Sequence, residues 1–275
     1  MKGGIKAQGY TIVEVMIVLA VSGVMFLIAA QFVSGKQAKT AFNEGVTTLA
    51  ANIQGVIEAV IDGQYTDIPL ACSVQSGSAP GPTRYLTFSA GGKQGTSQDC
   101  TFLGTMIHFR PAGTATSYDT VYLAGAKIGS SGGAISSITD SAITPVTAGV
   151  NLTKTATIPQ GLQVGAVQVT YSNGGTMTDN GGFNFGVVQS QGVADTSANA
   201  VSTFESGAQS VSMIVTPALE SADNLASNLN QGNTYNASKA IICLTDGTRK
   251  AQITVGDSGN QLKAIADFSG VGLLC

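Results

Sequence analysis

The chain has 275 residues, a formal net charge of -3, only 11% charged residues, 35 glycines and no tryptophan. That length accommodates an anchor plus one large domain or two small ones. Sparse charge with abundant Gly, Ser and Thr suits an exported β-rich domain better than a cytosolic enzyme, and a mildly acidic balance gives no general electrostatic reason to seek nucleic acid.

In chain order, residues 1–9, MKGGIKAQG, are short, glycine-rich and basic through Lys2 and Lys6. The run YTIVEVMIVLAVSGVMFLIAAQFVSGK follows, and its 19 residues from Val15 to Val33 carry no charge. As a helix those residues span about 28 Å, enough to cross the hydrocarbon core of a bilayer. Lys2 and Lys6 ahead of the run predict a cytoplasmic N-terminus and an outward-facing bulk. A secretory signal peptide would have a shorter apolar region followed by a small-residue cleavage site. Ala29-Ala30-Gln31 is a poor one. Glu14 stands at the head of the apolar run, where a carboxylate carried to mid-membrane costs about 2.5–3.5 kcal/mol. A plain anchor has no need of it, so a partner is expected.

The segment GYTIVEVMIVLAV, with Gly9, Thr11, Glu14 and the apolar run at their spacing, resembles the class III leader of type IV pilins and type II secretion pseudopilins. The resemblance implies cleavage by a prepilin peptidase between Gly9 and Tyr10, and N-methylation of Tyr10. It also implies that Glu14, with Thr11 beside it in the motif, acts in assembly by pairing with the N-terminal amine of a neighbouring subunit. A carboxylate and an ammonium, each costly alone in an apolar bundle, neutralise one another only in a correctly staggered contact. Two departures stand out: Gln31 occupies the position of a helix-kinking proline in many pilins, and Tyr10 replaces the usual Phe or Met. The first predicts a straighter anchor, with any weak point at Gly23 or Gly35. Removal of residues 1–9 leaves 266 residues, with 11 basic against 16 acidic side chains.

Beyond the anchor, Phe42, Val46, Leu49, Ile53, Ile57 and Ile61 recur every three or four residues. This one-sided apolar stripe predicts that the helix continues to about Asp62 and packs beneath a sheet, with Gly63 as its cap. The expected organisation is therefore a leader (1–9), a transmembrane and assembly helix (10–35), an amphipathic helix (36–62) and a β-rich head (63–275). The fold class is α+β: a long N-terminal helix on an antiparallel sheet, as in pilins. Strands are expected at Arg84–Ser89, Thr101–Phe109, Thr120–Leu123, Leu162–Tyr171, Phe183–Val188, Ser210–Thr216, Ala240–Thr245, Lys250–Val255 and Gln261–Phe268. Asp246-Gly247 predicts a tight hairpin turn. An extended loop or a low-contact edge insertion is expected over Gly125–Ala156, and a short helix over Pro217–Leu229. The run from Cys100 to Phe109 is similar to a sheet-opening strand of H-type minor pseudopilins.

Cys72, Cys100, Cys243 and Cys275 are even in number, widely spaced and without a CxxC pair, which points to two disulfides and an oxidising compartment. Three connectivities are open; pairing of sequence neighbours, Cys72–Cys100 and Cys243–Cys275, is the one expected. The second pair resembles the cysteine-bounded C-terminal region of many pilins.

No catalytic set emerges, and neither a cofactor nor a metal is expected. His108 is the only histidine, placed in an alternating strand with no nucleophile or metal-helix motif beside it. Asp179-Asn180-Gly181 and Asp257-Ser258-Gly259-Asn260 are explained as turns and fit no twelve-residue calcium loop. Arg249 and Lys250, with Lys239 and Lys263 in reserve, are the candidates for phosphate contacts to DNA, with solvated hairpin charges the simpler account. The triplets at Asn151 and Asn236 match a glycosylation pattern that chance supplies often in such sequences.

The function expected is that of a structural subunit, a minor or tip pilin of a type IV pilus-like filament. A type II secretion pseudopilin is the first alternative, and a membrane-anchored adhesin that never polymerises the second. Expected partners are other pilin subunits, the prepilin peptidase, an inner-membrane assembly platform, and membrane lipid before assembly. The expected location is the cytoplasmic membrane first and the cell surface afterwards.

Overall fold

The computed structural model describes residues 11–62, 70–76, 84–90, 100–109, 116–127, 141–146, 153–179, 183–190, 210–216, 229, 235–257 and 262–268. The chain separates into two compact units, Met1–Asn43 and Glu44–Cys275. One α-helix, α1 (Ile12–Ile61), runs through both. It is continuous through Gly23, Gln31 and Gly35, as the lack of an interior proline allows.

In the first unit, every residue from Thr11 to Gln31 is exposed. Its large apolar side chains leave between 47% (Val15) and 80% (Ile12) of their surface uncovered. This stretch is long and apolar enough to cross a membrane.

In the second unit, α1 becomes one-sided. Val46, Leu49, Ala50, Ile53, Ile57 and Val60 are buried while Glu44, Thr48, Ala51, Gly55 and Glu58 are exposed. Each large buried side chain contributes about 1.5–3 kcal/mol. The sheet that receives this stripe is built from β3 (Cys100–Phe109), β4 (Ser117–Ala126), β5 (Thr144–Pro145), β6 (Lys154–Thr157), β7 (Gln163–Tyr171), β8 (Thr176–Asp179), β9 (Phe183–Ser190), β10 (Ser210–Thr216), β11 (Tyr235–Thr245), β12 (Lys250–Asp257) and β13 (Leu262–Asp267). All its pairings are antiparallel, along the path β13-β12-β11-β10-β9-β3-β4-β5, with β6 on β4, β7 on β11 and β8 on β7. This is the α+β, pilin-like arrangement expected.

Strand β11 is the branch point. Its Tyr235–Ala237 end pairs with β10, and its Lys239–Thr245 stretch pairs with β12 and β7. Both arms of the sheet reach the helix. The Tyr118 hydroxyl of β4 is hydrogen-bonded to the Asn52 side chain, and the Ala264 N–H of β13 donates to Gln54 Oε1 at 2.9 Å. Residues two apart on a helix diverge by about 200°, so Asn52 and Gln54 meet the two arms on either side of the buried stripe. Gln54 thereby satisfies one amide on the open edge of β13, a form of edge protection.

On the opposite face of the β10–β9–β3–β4 arm lies a second apolar layer containing Met106, Val121, Leu123, Val188 and Ile214, closed by Ile143 and Leu229. A separate hairpin, β1 (Leu70–Ser76) with β2 (Arg84–Ala90), packs Val74, Leu86 and Phe88 against Tyr122, Ala124, Ala126 and Val146. The Leu86 N–H donates to Thr144 Oγ1 at 3.3 Å, and a Cys72–Cys100 disulfide fastens β1 to β3.

The structure corrects three expectations. Segment 125–156 is not a single loop: β4 extends to Ala126, Ile143 and Val146 are buried, and β5 and β6 both pair with β4. Strands β1 and β8 were not anticipated, since LACSVQS is weakly patterned and TMTD is short. The hairpin turn is displaced by one residue: Asp246 N–H bonds Arg249 C=O at 3.3 Å, which puts Gly247 and Thr248 at the tip. Gly247, at φ 89°, supplies the left-handed conformation needed there. Of the short helix expected over Pro217–Leu229, only Leu229 is described, helical and buried; Gly63 and Gln261 lie outside the described residues.

Candidate functional site

The N-terminal end of α1 is built by Thr11 and Glu14. Thr11 is the cap: its C=O accepts the first helical bond from Val15 N–H at 3.2 Å, and its Oγ1 accepts from Glu14 N–H at 3.3 Å. A threonine followed three residues later by glutamate is the capping-box spacing, so helix-end chemistry explains half of the motif by itself. Glu14 sits in the first turn, where the helix dipole favours a negative charge. It is exposed and surrounded in sequence by exposed apolar side chains. Gly9 and Tyr10 lie outside the described residues.

The cysteines are accounted for in part. Cys72 and Cys100 form a disulfide with a Cα–Cα separation of 6.3 Å. Cys243 is also disulfide-bonded, and Cys275 lies outside the described residues.

The other sequence candidates separate in space. His108 is 2% exposed in β3, opposite Asp119 of β4 and Asn184 of β9. Asp119 is buried as well and accepts a hydrogen bond from Thr155 Oγ1 at 2.6 Å. These residues occupy one polar register row within the sheet.

Arg249 is tied into its own turn, with Nη1 3.6 Å from Asp246 Oδ2. Asp246 Oδ1 also accepts from Thr248 N–H (2.9 Å), Thr248 Oγ1 (2.9 Å) and Arg249 N–H (2.7 Å). Slight desolvation works to raise the Asp246 carboxyl, but these hydrogen bonds and the Arg249 charge outweigh it and hold the group below the usual carboxylate range. Lys239 and Lys263 are not beside Lys250. Lys250 pairs with Thr245 at one end of β11, whereas Lys239 lies six residues away, about 20 Å along an extended strand.

Of the calcium candidates, the backbones of Asp179 and Asp257 end strands β8 and β12, and Asn180, Gly181 and Ser258–Asn260 lie outside the described residues. Asn236 is held in β11 opposite Ile214, and the hydroxyl of its triplet partner Ser238 donates to Thr170 C=O at 3.2 Å. Asn151 lies outside the described residues. Sequence reasoning missed Asn52 and Gln54 as the side chains that join helix and sheet; they carry no signal beyond flanking the apolar stripe.

Comparison with protein families matches residues 5–30 to the prokaryotic N-terminal methylation motif. No match is found among curated proteins or among solved structures. The matched segment contains Thr11, Glu14 and all but the last residue of the exposed stretch of α1 that ends at Gln31. It is a type of signal that prepilin peptidase processes in proteins that assemble with other pilin subunits, and with the apolar helix it fits a membrane-anchored protein later exposed at the surface. The chain thus carries, at residues 5–30, the class III prepilin signal of type IV pilins and pseudopilins, which points to a structural protein.

Proposed function

We propose that this chain is a structural subunit of a type IV pilus-like filament, in a minor or tip position. The observation that carries the reading is the prepilin signal at residues 5–30, most of which is a helix exposed on all sides. The division of labour is a leader over residues 1–9, an assembly helix over 10–35, its amphipathic continuation over 36–62 and a head over 63–275. Cleavage falls between Gly9 and Tyr10, Tyr10 is methylated, and the N-terminus faces the cytoplasm until the subunit leaves the membrane. Apolar burial between helices drives assembly. Glu14, pairing with the Tyr10 amine of a neighbouring subunit, sets the stagger, because a mismatched register leaves both charges unpaired in an apolar bundle. In the head, Cys243 pairs with Cys275, closing the C-terminus onto β11. A head of this bulk suits sparse incorporation better than dense repetition.

Glu14→Ala tests the register role. Membrane insertion and leader removal should persist, while incorporation into sheared surface filaments falls at least tenfold, measured by quantitative mass spectrometry of the filament fraction. Incorporation at the wild-type level would overturn it. The same signal serves type II secretion pseudopilins; for that reading the protein would stay in the envelope and be missing from sheared fibres. A non-polymerising adhesin would instead retain Met1 in the membrane fraction.

A further inference from the structure

Strands β7, β11, β12 and β13 place four residues in one register row: Thr170, Lys239, Gly256 and Lys263. Directly paired residues share a sheet face, and this row lies on the face opposite to Ala240 and Val255, which are fully buried. Both lysines are exposed, whereas Gly256 is buried and offers only backbone. A Cβ at Gly256 would meet Lys239 Cγ at 3.4 Å, so the lysine stem leans over the glycine. With strands about 4.8 Å apart, the two lysine Cα atoms stand about 10 Å from each other, within converging reach of both stems.

The other described basic side chains of the head are engaged: Arg249 with Asp246, Lys154 over the Tyr122 ring, and Lys127 and Lys250 in further interactions. Lys239 and Lys263 have no described partner. On the same face, the carboxylate Asp267 lies four residues beyond Lys263 on β13, about 13 Å along the strand. Asp257 holds the next register position, of the other parity. Among the described residues these are two ammonium groups without a partner on one sheet face, a charge arrangement that an anion would relieve.

We propose that Lys239 and Lys263, on either side of Gly256, which has no side chain, form a seat for a compact oxyanion of the phosphate or sulfate class. The site lies away from the hairpin tip, where Arg249 is already neutralised. Its ligand is either a free inorganic anion or the same group carried on a larger molecule.

The test uses the full-length chain in a neutral detergent with its lysines 13C-dimethylated, which preserves their charge. Individual Lys→Arg changes assign the signals. Titration with inorganic phosphate, then with glycerol 3-phosphate, should move the Lys239 and Lys263 signals together along one saturable curve and leave Lys154 unmoved. Lys263→Gln should weaken the response of Lys239 at least fivefold, and Lys239→Gln that of Lys263 equally. Tighter binding of the ester identifies a group on a larger molecule; equal binding identifies the free anion. Parallel, unsaturable shifts of all exposed lysines, or a Lys239 response indifferent to Lys263→Gln, would overturn the seat.

Discussion

At the scale of single residues, Asp246 shows how a charged side chain can be consumed by local structure. Its carboxylate gathers three hydrogen bonds and the Arg249 guanidinium within one four-residue turn. Folding holds this carboxyl below its ordinary value, so its contribution to stability is present above the unfolded range of about pH 4 and is lost as pH falls through the folded value. Asp246→Asn keeps an acceptor in place and removes the charge. Urea midpoints should drop slightly at about pH 7, by a few tenths of a kcal/mol for so exposed a group. As pH falls through the folded value of the carboxyl, the variant and the wild type should converge. A constant difference between them across pH would contradict the charge account. The turn itself was legible in Asp246-Gly247; its one-residue displacement was not, because the aspartate side chain takes over the bond to Arg249 N–H that a backbone carbonyl would otherwise accept.

At the scale of elements, β3 depends on a glycine for its contact with β9. The register of β3 on β4 slips between Phe102 and Gly104, a bulge that brings the Gly104 backbone against β9. A Cβ at Gly104 would overlap the Val187 carbonyl oxygen, a backbone atom that cannot yield cheaply. Gly104→Ala should therefore cost about 3 kcal/mol or more, read as a lowered urea midpoint. A loss under about 1 kcal/mol would show that the strands re-register freely. Helix α1 offers a gentler case at Gln54, whose amide oxygen holds the edge N–H of Ala264. Gln54→Leu should lower stability by about 1 kcal/mol and selectively raise the hydrogen-exchange rate of Ala264. Unchanged exchange at Ala264 would refute the edge-protecting role. The helix itself was readable because its stripe repeats locally, every three or four residues. Its two lateral contacts were not, since neither Asn52 nor Gln54 differs in kind from a solvated helix residue.

At the scale of the whole molecule, the head depends on joining segments far apart in sequence. The Cys72–Cys100 bond ties the β1–β2 hairpin to β3 across 28 positions, and a crosslink of that span restricts the unfolded chain by about 3–4 kcal/mol. A Cys72→Ser, Cys100→Ser double variant should lose that much stability, with the Leu86–Val146 layer opening to hydrogen exchange before the Met106–Ile214 layer. Simultaneous opening of both layers would mean that the hairpin and the main sheet form one cooperative unit. By itself the sequence determined the features that arise from neighbours along the chain: the prepilin signal, the uncharged span, the continuous helix and most of the strands. Tertiary structure alone decided which strands pair, that β11 branches the sheet into two arms, that segment 125–156 contributes β5 and β6, and that Lys239 shares a register row with Lys263 rather than with Lys250. The physical reason is that side-chain periodicity is set by local backbone geometry. Pairing and register instead depend on which distant surfaces exclude water together, and low-contrast runs such as LACSVQS and TMTD acquire their structure only from the partners they meet.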